Sequence, residues 1–233
     1  MYKHLDLSSL VNIEEFVDVL DLENVDILLN NAAVWGSPVL SSADGYEQTF
    51  ATNYLAPFYL TSLMLNKFKL KKVINVSSGL HTQGKIDASD LEALIRVPAE
   101  MDKDLAKKIY STSKLAQVYY TSELAKRRPD ITAMAMHPGL CYTGLARYVK
   151  PNSILLGWIG KILPLIIRTP EEGAQTAVYC CVEDELESGG YYGDCEKEEL
   201  KEVATDPETQ AKLWEFSENL ISQKGFSTTS NVK

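Results

Sequence analysis

Short apolar runs alternate with longer segments of helical spacing along most of the chain. Val25-Asp26-Ile27-Leu28-Leu29 is too short for a helix and ends in Asn30-Asn31, which predicts a buried strand. Residues 43–66 carry helical spacing, interrupted at Pro57, whose ring should kink the helix or set its first part apart as a separate turn. Lys72-Val73-Ile74-Asn75-Val76-Ser77 predicts a second strand, with a charged loop and helix after it. A long helix is expected over about 102–128, stopped by Pro129-Asp130, and 131–136 reads as a third strand. Thr169-Pro170-Glu171-Glu172 has the pattern of a capping box with proline at the first helical position, so a helix should start there and run past Cys181. Gly190-Tyr191-Tyr192 predicts a last short strand, Asp206-Pro207 caps a final helix through about Ser222, and the polar tail 227–233 should be loose. No internal repeat occurs. Strands alternating with helices imply an α/β fold, a parallel sheet covered on both faces, with its site beyond the carboxyl ends of the strands.

Composition narrows the function classes. With 45% hydrophobic residues among 233, the chain can bury the core of one domain, placed at 1–223 with a tail at 224–233. A net charge of -9 argues against a nucleic-acid groove, which needs clustered Lys and Arg. The four cysteines, Cys141, Cys180, Cys181 and Cys195, follow no disulfide or metal-knuckle spacing, so they are expected to be buried thiols in a reducing, cytoplasmic setting. The start of the chain lacks the apolar core of a signal peptide, and no apolar run reaches the ~20 residues of a membrane span. The nearest candidate, 154–167, contains Lys161 and Pro164. It reads as an amphipathic lid or membrane-surface helix, or as a partly buried connection.

Candidate chemistry collects at strand ends: Asn30-Asn31-Ala32-Ala33, Ser77-Ser78-Gly79 and His137-Pro138-Gly139. On the long helix, Tyr110 and Lys114 are four apart and so share one face. A free phenol has a pKa near 10. A neighbouring ammonium favours the phenolate, bringing the tyrosine toward proton exchange with an alcohol or carbonyl. His137 and Cys141 are four apart, but Pro138-Gly139 prevents a helix and no further ligand completes a metal site. The sequon Asn75-Val76-Ser77 falls in a predicted buried strand. His81 reads as a solvated loop histidine or as a residue at a substrate entrance.

The ordered set Asp6-Leu7, Asn30-Asn31-Ala32, Asn53, Ser78 with Tyr110 and Lys114, and Pro138-Gly139 with Thr143 resembles the short-chain dehydrogenases/reductases over residues 5–221. Arg168-Thr169-Pro170-Glu171-Glu172-Gly173-Ala174-Gln175-Thr176, His137-Pro138-Gly139 and the long insert between Ser78 and Tyr110 resemble the retinol dehydrogenase branch. The resemblance implies a Rossmann-like, doubly wound parallel sheet and a hydride-transferring oxidoreductase. It implies Tyr110 as general acid/base, Lys114 lowering its pKa and holding the nicotinamide ribose, Ser78 bonding the substrate oxygen, and Asn53 holding a water that relays protons to Lys114. Ser78 is chosen over Ser77 because it is the second of the pair and strand alternation points Ser77 to the other face. Asn31, Ala32 and Ala33 would lie along the adenosine ribose, with Ala33 where the family has glycine. Asp6, beside Leu7, would accept from the adenine amine, although an Asp there is equally a helix N-cap. Pro138, Gly139 and Thr143 would orient the nicotinamide carboxamide.

A complete member of the family opens with a strand, a Gly-rich turn and a helix that hold the pyrophosphate. Here the first glycine is Gly36. The resemblance therefore implies an N-terminally truncated domain, expected to bind cofactor poorly and to aggregate through unpaired strand edges. Either the sequence is a fragment of an active reductase, or it is an inactive binding or regulatory form. A sugar-nucleotide epimerase sharing the Tyr110/Lys114 spacing fits the C-terminal part less well. The apolar stretch 145–167, with Leu155, Leu156, Trp158 and Ile159, would cover a hydrophobic alcohol, aldehyde or ketone such as a retinoid, steroid or lipid aldehyde. The branch favours NADP, with NAD open, and its members are often held on the endoplasmic reticulum membrane.

Overall fold

The computed structural model describes residues 2–141, 145 and 167–228. Thr143 and nearly all of the segment 145–167, expected as lid or membrane-surface helix, lie outside the described residues.

Four strands, β1 (Ile27–Asn30), β2 (Lys72–Val76), β3 (Thr132–Met136) and β4 (Tyr191–Gly193), pair in parallel in chain order, and β5 (Glu196–Glu198) joins β4 antiparallel. Registers such as Asn30↔Asn75 and Asn75↔Ala135 align the strand ends. β2 is buried at every position, as a central strand of a sheet covered on both faces must be. Side chains alternate across it: Ile74, Val76, Met134, Met136 and Tyr192 cluster with Cys180, while Val73, Ala133, Ala135 and Tyr191 join the larger core on the opposite face.

The helices begin where the caps are. In α1 (Leu10–Asp18), Ser9 accepts from the Asn12 amide at 3.3 Å, and Leu10, Ile13 and Val17 turn one apolar face to the core. The segment 43–66 becomes helical only at α2 (Gln48–Phe50), which the Glu47 carboxylate caps through the Thr49 and Phe50 amides. A π turn, Ala51–Leu55, then leads into α3 (Ala56–Lys67), with Pro57 in the first turn of α3. Pro57 has no amide to offer the Asn53 carbonyl four residues back, and the Gln117 side chain donates to that carbonyl instead. Asp102 caps α4 (Lys103–Arg127), the expected long helix. Thr169 and Glu172 form the predicted reciprocal capping box at the start of α5 (Pro170–Val182), and Asp206 caps α6 (Pro207–Gln223).

α4 packs on β2 and β3 from one side, and α5 lies over β2, β3 and β4 from the other. The expected cover is incomplete at β1: Ile27 and Leu29, which point to the α5 face, are 36% and 39% exposed, and the outer edge of β1 is unpaired among the described residues. Of the cysteines only Cys180 is fully buried; the other three are part-buried free thiols. No helix among the described residues is long and apolar enough to cross a membrane.

Candidate active site

β2 delivers two serines with opposite fates. Ser77 is buried and donates to the Lys114 carbonyl at 2.8 Å, behind α4. Ser78, in extended backbone, starts the 3-10 turn Gly79–Gln83; its hydroxyl accepts from the Leu80 amide and lies beside the Tyr110 phenol, which it favours in the ionised form. Ser77 and Ser78 thus point to opposite sides, as strand alternation predicts.

Tyr110 and Lys114 stand one turn apart on α4, 3% and 2% exposed. Lys114 donates to the Val76 carbonyl at 2.7 Å, and its Nζ lies 5.7 Å from the phenol ring centroid. Burial pushes the phenol up to about 12, partly opposed by Ser78, and depresses Lys114 to about 7. The expected lowering of the tyrosine by the ammonium does not appear. Both groups are cut off from water, and the ammonium is turned onto a backbone carbonyl rather than onto the phenol oxygen.

Asn53, on the π turn, accepts from the Val34 amide at 2.8 Å and donates to the Val34 carbonyl at 2.9 Å and to Ser113 Oγ at 3.1 Å. Ser113 in turn donates to the Tyr110 carbonyl at 2.7 Å. Asn53 therefore ties the loop after β1 to α4, one residue before Lys114. Four of the predicted residues, Ser78, Tyr110, Lys114 and Asn53, share this one connected region.

The remaining candidates spread along the strand ends. Asn31 and Ala32 are exposed and Ala33 is half-buried after β1. Asn31 and Pro138 face a cavity of about 310 Å³, with Leu29, Val76, Met136 and Ala174 also in its wall. Gly139 adopts φ 76°, the left-handed region that favours glycine, and a Cβ there would stand 2.6 Å from the Arg168 guanidinium, which would have to shift. Asp6 is exposed and accepts from the Ser8 amide and hydroxyl at 2.8 and 2.7 Å, which holds its carboxyl below the usual range. It forms a turn ahead of α1 rather than the N-cap, which is Ser9. Leu7 packs against the core. A larger cavity, about 510 Å³, is lined by the insert between Ser78 and Tyr110, including Leu94, Val97, Leu105 and Ile109.

His81 is not a solvated loop residue: it is 4% exposed. Its Nδ1 lies 2.8 Å from the Ser78 carbonyl. A carbonyl only accepts, so Nδ1 carries the proton, and burial favours the neutral ring. The imidazole stands edge-on to Tyr191 at 4.7 Å, while His137 stacks on Tyr191 at 5.5 Å and meets Glu198 Oε1 at 2.9 Å. Two rings escaped the sequence reading. Tyr191 gave no signal beyond strand propensity; Trp35, an aromatic just past a polar strand end, lies flat on Tyr110 with centroids 5.0 Å apart and planes at 19°.

Residues 1–89 match the family model for short chain dehydrogenase. Human retinol dehydrogenase 14 is 36% identical over 94% of this chain, and mouse retinol dehydrogenase 13 is 38% identical over 94%. The chain spans 66% of the length of the first and 67% of the second. A crystal structure of an uncharacterised protein from Mycobacterium paratuberculosis superposes with a TM-score of 0.72 at 27% identity, covering 98% of this chain and 76% of that one. The fold is shared with 4-hydroxyisoleucine dehydrogenase complexed with NADH (TM-score 0.56, 23% identity, 81% and 74% covered). The chain belongs to the short-chain dehydrogenase family, in its retinol-dehydrogenase-like branch.

Proposed function

We propose that this chain carries the catalytic site of an oxidoreductase that exchanges a hydride between a nicotinamide cofactor, NADP in preference to NAD, and a hydrophobic alcohol or carbonyl such as a retinoid. The observation that carries this reading is the Tyr110 phenol set beside Ser78 at the end of β2, with a buried lysine one helical turn further along α4. The names of the relatives support the substrate class.

The residues fit such a cofactor. Lys114 uses one of its three N–H groups on Val76, which leaves donors for ribose hydroxyls. Asn31, Ala32, Ala33, Pro138 and Gly139 line or border the strand-end opening, where small and exposed side chains leave room. Thr143 belongs to the same proposal on the sequence match alone, as do Asp6 and Leu7 at the adenine. When bound, the nicotinamide supplies or accepts the hydride. Tyr110 Oη gives a proton to the carbonyl oxygen during reduction and takes it from the alcohol during oxidation. Ser78 Oγ holds that same oxygen, and Asn53 fixes the loop and helix on either side. A phenol held protonated by burial suits the reductive direction. Attachment to the endoplasmic reticulum membrane follows from the same branch.

The test is turnover of all-trans-retinal with NADPH by the chain and by Tyr110→Phe. Loss of about 10²–10⁴-fold in kcat is expected for the variant; a variant as active as the parent would remove Tyr110 from the role. A second reading, a form that binds without turnover, draws on the open apolar edge of β1, and the same assay separates the two.

A further inference from the structure

Trp35, His81 and Tyr191 surround the Ser78–Tyr110 pair, and Trp35 Nε1, His81 Nε2 and Tyr191 Oη are all buried with no hydrogen-bond partner among the described residues. An unpaired buried donor or acceptor is costly, so each asks for an occupant or a role. His81 and Tyr191 are set in the 3-10 turn and the sheet; Trp35 differs, because it sits on the loop after β1. Tyr110 is nearly closed off, whereas Trp35 is half-buried, its indole flat on the phenol. The loop is held on both sides of the ring. Asn53 takes both polar groups of Val34, and Gly36 reverses the backbone at φ 61°.

We propose that Trp35 is a specificity-determining residue of this site: its indole is a wall that admits slender terminal aldehydes and alcohols in preference to ring ketones, and its Nε1–H donates to an oxygen the ligand brings. A group that must reach the phenol oxygen past a flat indole has to be narrow next to the reacting carbon. A conjugated or straight-chain aldehyde meets that condition, whereas a carbonyl flanked by two ring carbons does not. The unpaired N–H adds a donor that an apolar wall of equal size would lack. The inference rests on the proposed oxidoreductase activity for its turnover arm only.

The test compares all-trans-retinal with 5α-androstane-3,17-dione on the full chain, Trp35→Ala, Trp35→Met and Trp35→Phe. Dissociation constants come from quenching of protein fluorescence by the retinal and from competition by the diketone; kcat/KM is measured with NADPH. Trp35→Ala should shift the retinal-to-diketone ratio toward the diketone by about tenfold, the scale on which a small change in pocket volume acts. Trp35→Met, which refills the space, should stay near the parent ratio and guards against a folding artefact. Trp35→Phe should keep the ratio and bind both ligands more weakly. A ratio unchanged within twofold in Trp35→Ala would overturn the wall, and unchanged affinity in Trp35→Phe would overturn the donor. Should the parent bind without turnover, the activity reading fails while the ratio of dissociation constants still decides this one.

Discussion

Replacing Lys114 by Met should stabilise the fold while ending turnover. Lys114 is only 2% exposed, and its pKa falls from 10.5 to about 7. At about 1.4 kcal/mol per decade, that gap corresponds to roughly 5 kcal/mol for holding the charged form inside. The bond to the Val76 carbonyl returns about 1.5–3 kcal/mol, as a hydrogen bond to a charged group does. Methionine fills nearly the same volume without charge, so a net gain of roughly 2–3 kcal/mol is expected at pH 6. Between pH 7 and 10.5 the unfolded chain holds the proton that the folded chain has released, so wild-type stability rises with pH through that window. The advantage of the variant should therefore shrink from pH 7 upward, vanish at about pH 9 and be reversed at pH 10. Urea unfolding at pH 6, 8 and 10, read as midpoints at a common slope, measures it. A variant less stable than wild type at pH 6, or a difference that ignores pH, would refute the reasoning.

Asn53→Ala should lose about 2–4 kcal/mol in urea unfolding, since the Val34 amide, the Val34 carbonyl and Ser113 all lose a partner. Its effect on kcat should exceed its effect on the dissociation constant for retinal. Gly139→Ala should cost about 1–2 kcal/mol and weaken cofactor binding, because the left-handed backbone is strained for alanine and the methyl group would displace the Arg168 guanidinium. Leu29→Lys on the open edge should reduce self-association in sedimentation with little change in unfolding midpoint, as its side chain is already 39% exposed.

The parts of the fold legible in the sequence are those written in local chemistry. β2 and β3 show as apolar runs, α4 as a long segment stopped by Pro129, and α5 by a capping box that forms as spelled. α1 is written there too, in Ser9 followed by Leu10, Ile13 and Val17, so its cap stands three residues past Asp6. β5 was not: Glu196, Lys197 and Glu198 carry no apolar alternation, and the strand exists because Asp194 and Cys195 turn left-handed, at φ 52° and 61°, and fold it back on β4. In the site, the Tyr110–Lys114 spacing predicted a shared face, and the structure has one. Their protonation was not legible, because it depends on how completely α3, α4 and the sheet close over them. The burial of His81 depends likewise on Tyr191, more than a hundred residues away.

The π turn at Ala51–Leu55 has a consequence for how this family member can vary. A π turn fits one residue more than an α-helix of the same rise. Removing a single residue there would let the backbone relax to ordinary helix with the flanking turns kept in phase, but would redistribute the residues of the turn itself around the axis. Asn53 would then point away from Val34 and Ser113, even with every contacting residue unchanged. The position of Trp35 over the phenol is thus encoded in a residue count as much as in residue identity. Substitutions in this turn should be tolerated far better than any insertion or deletion.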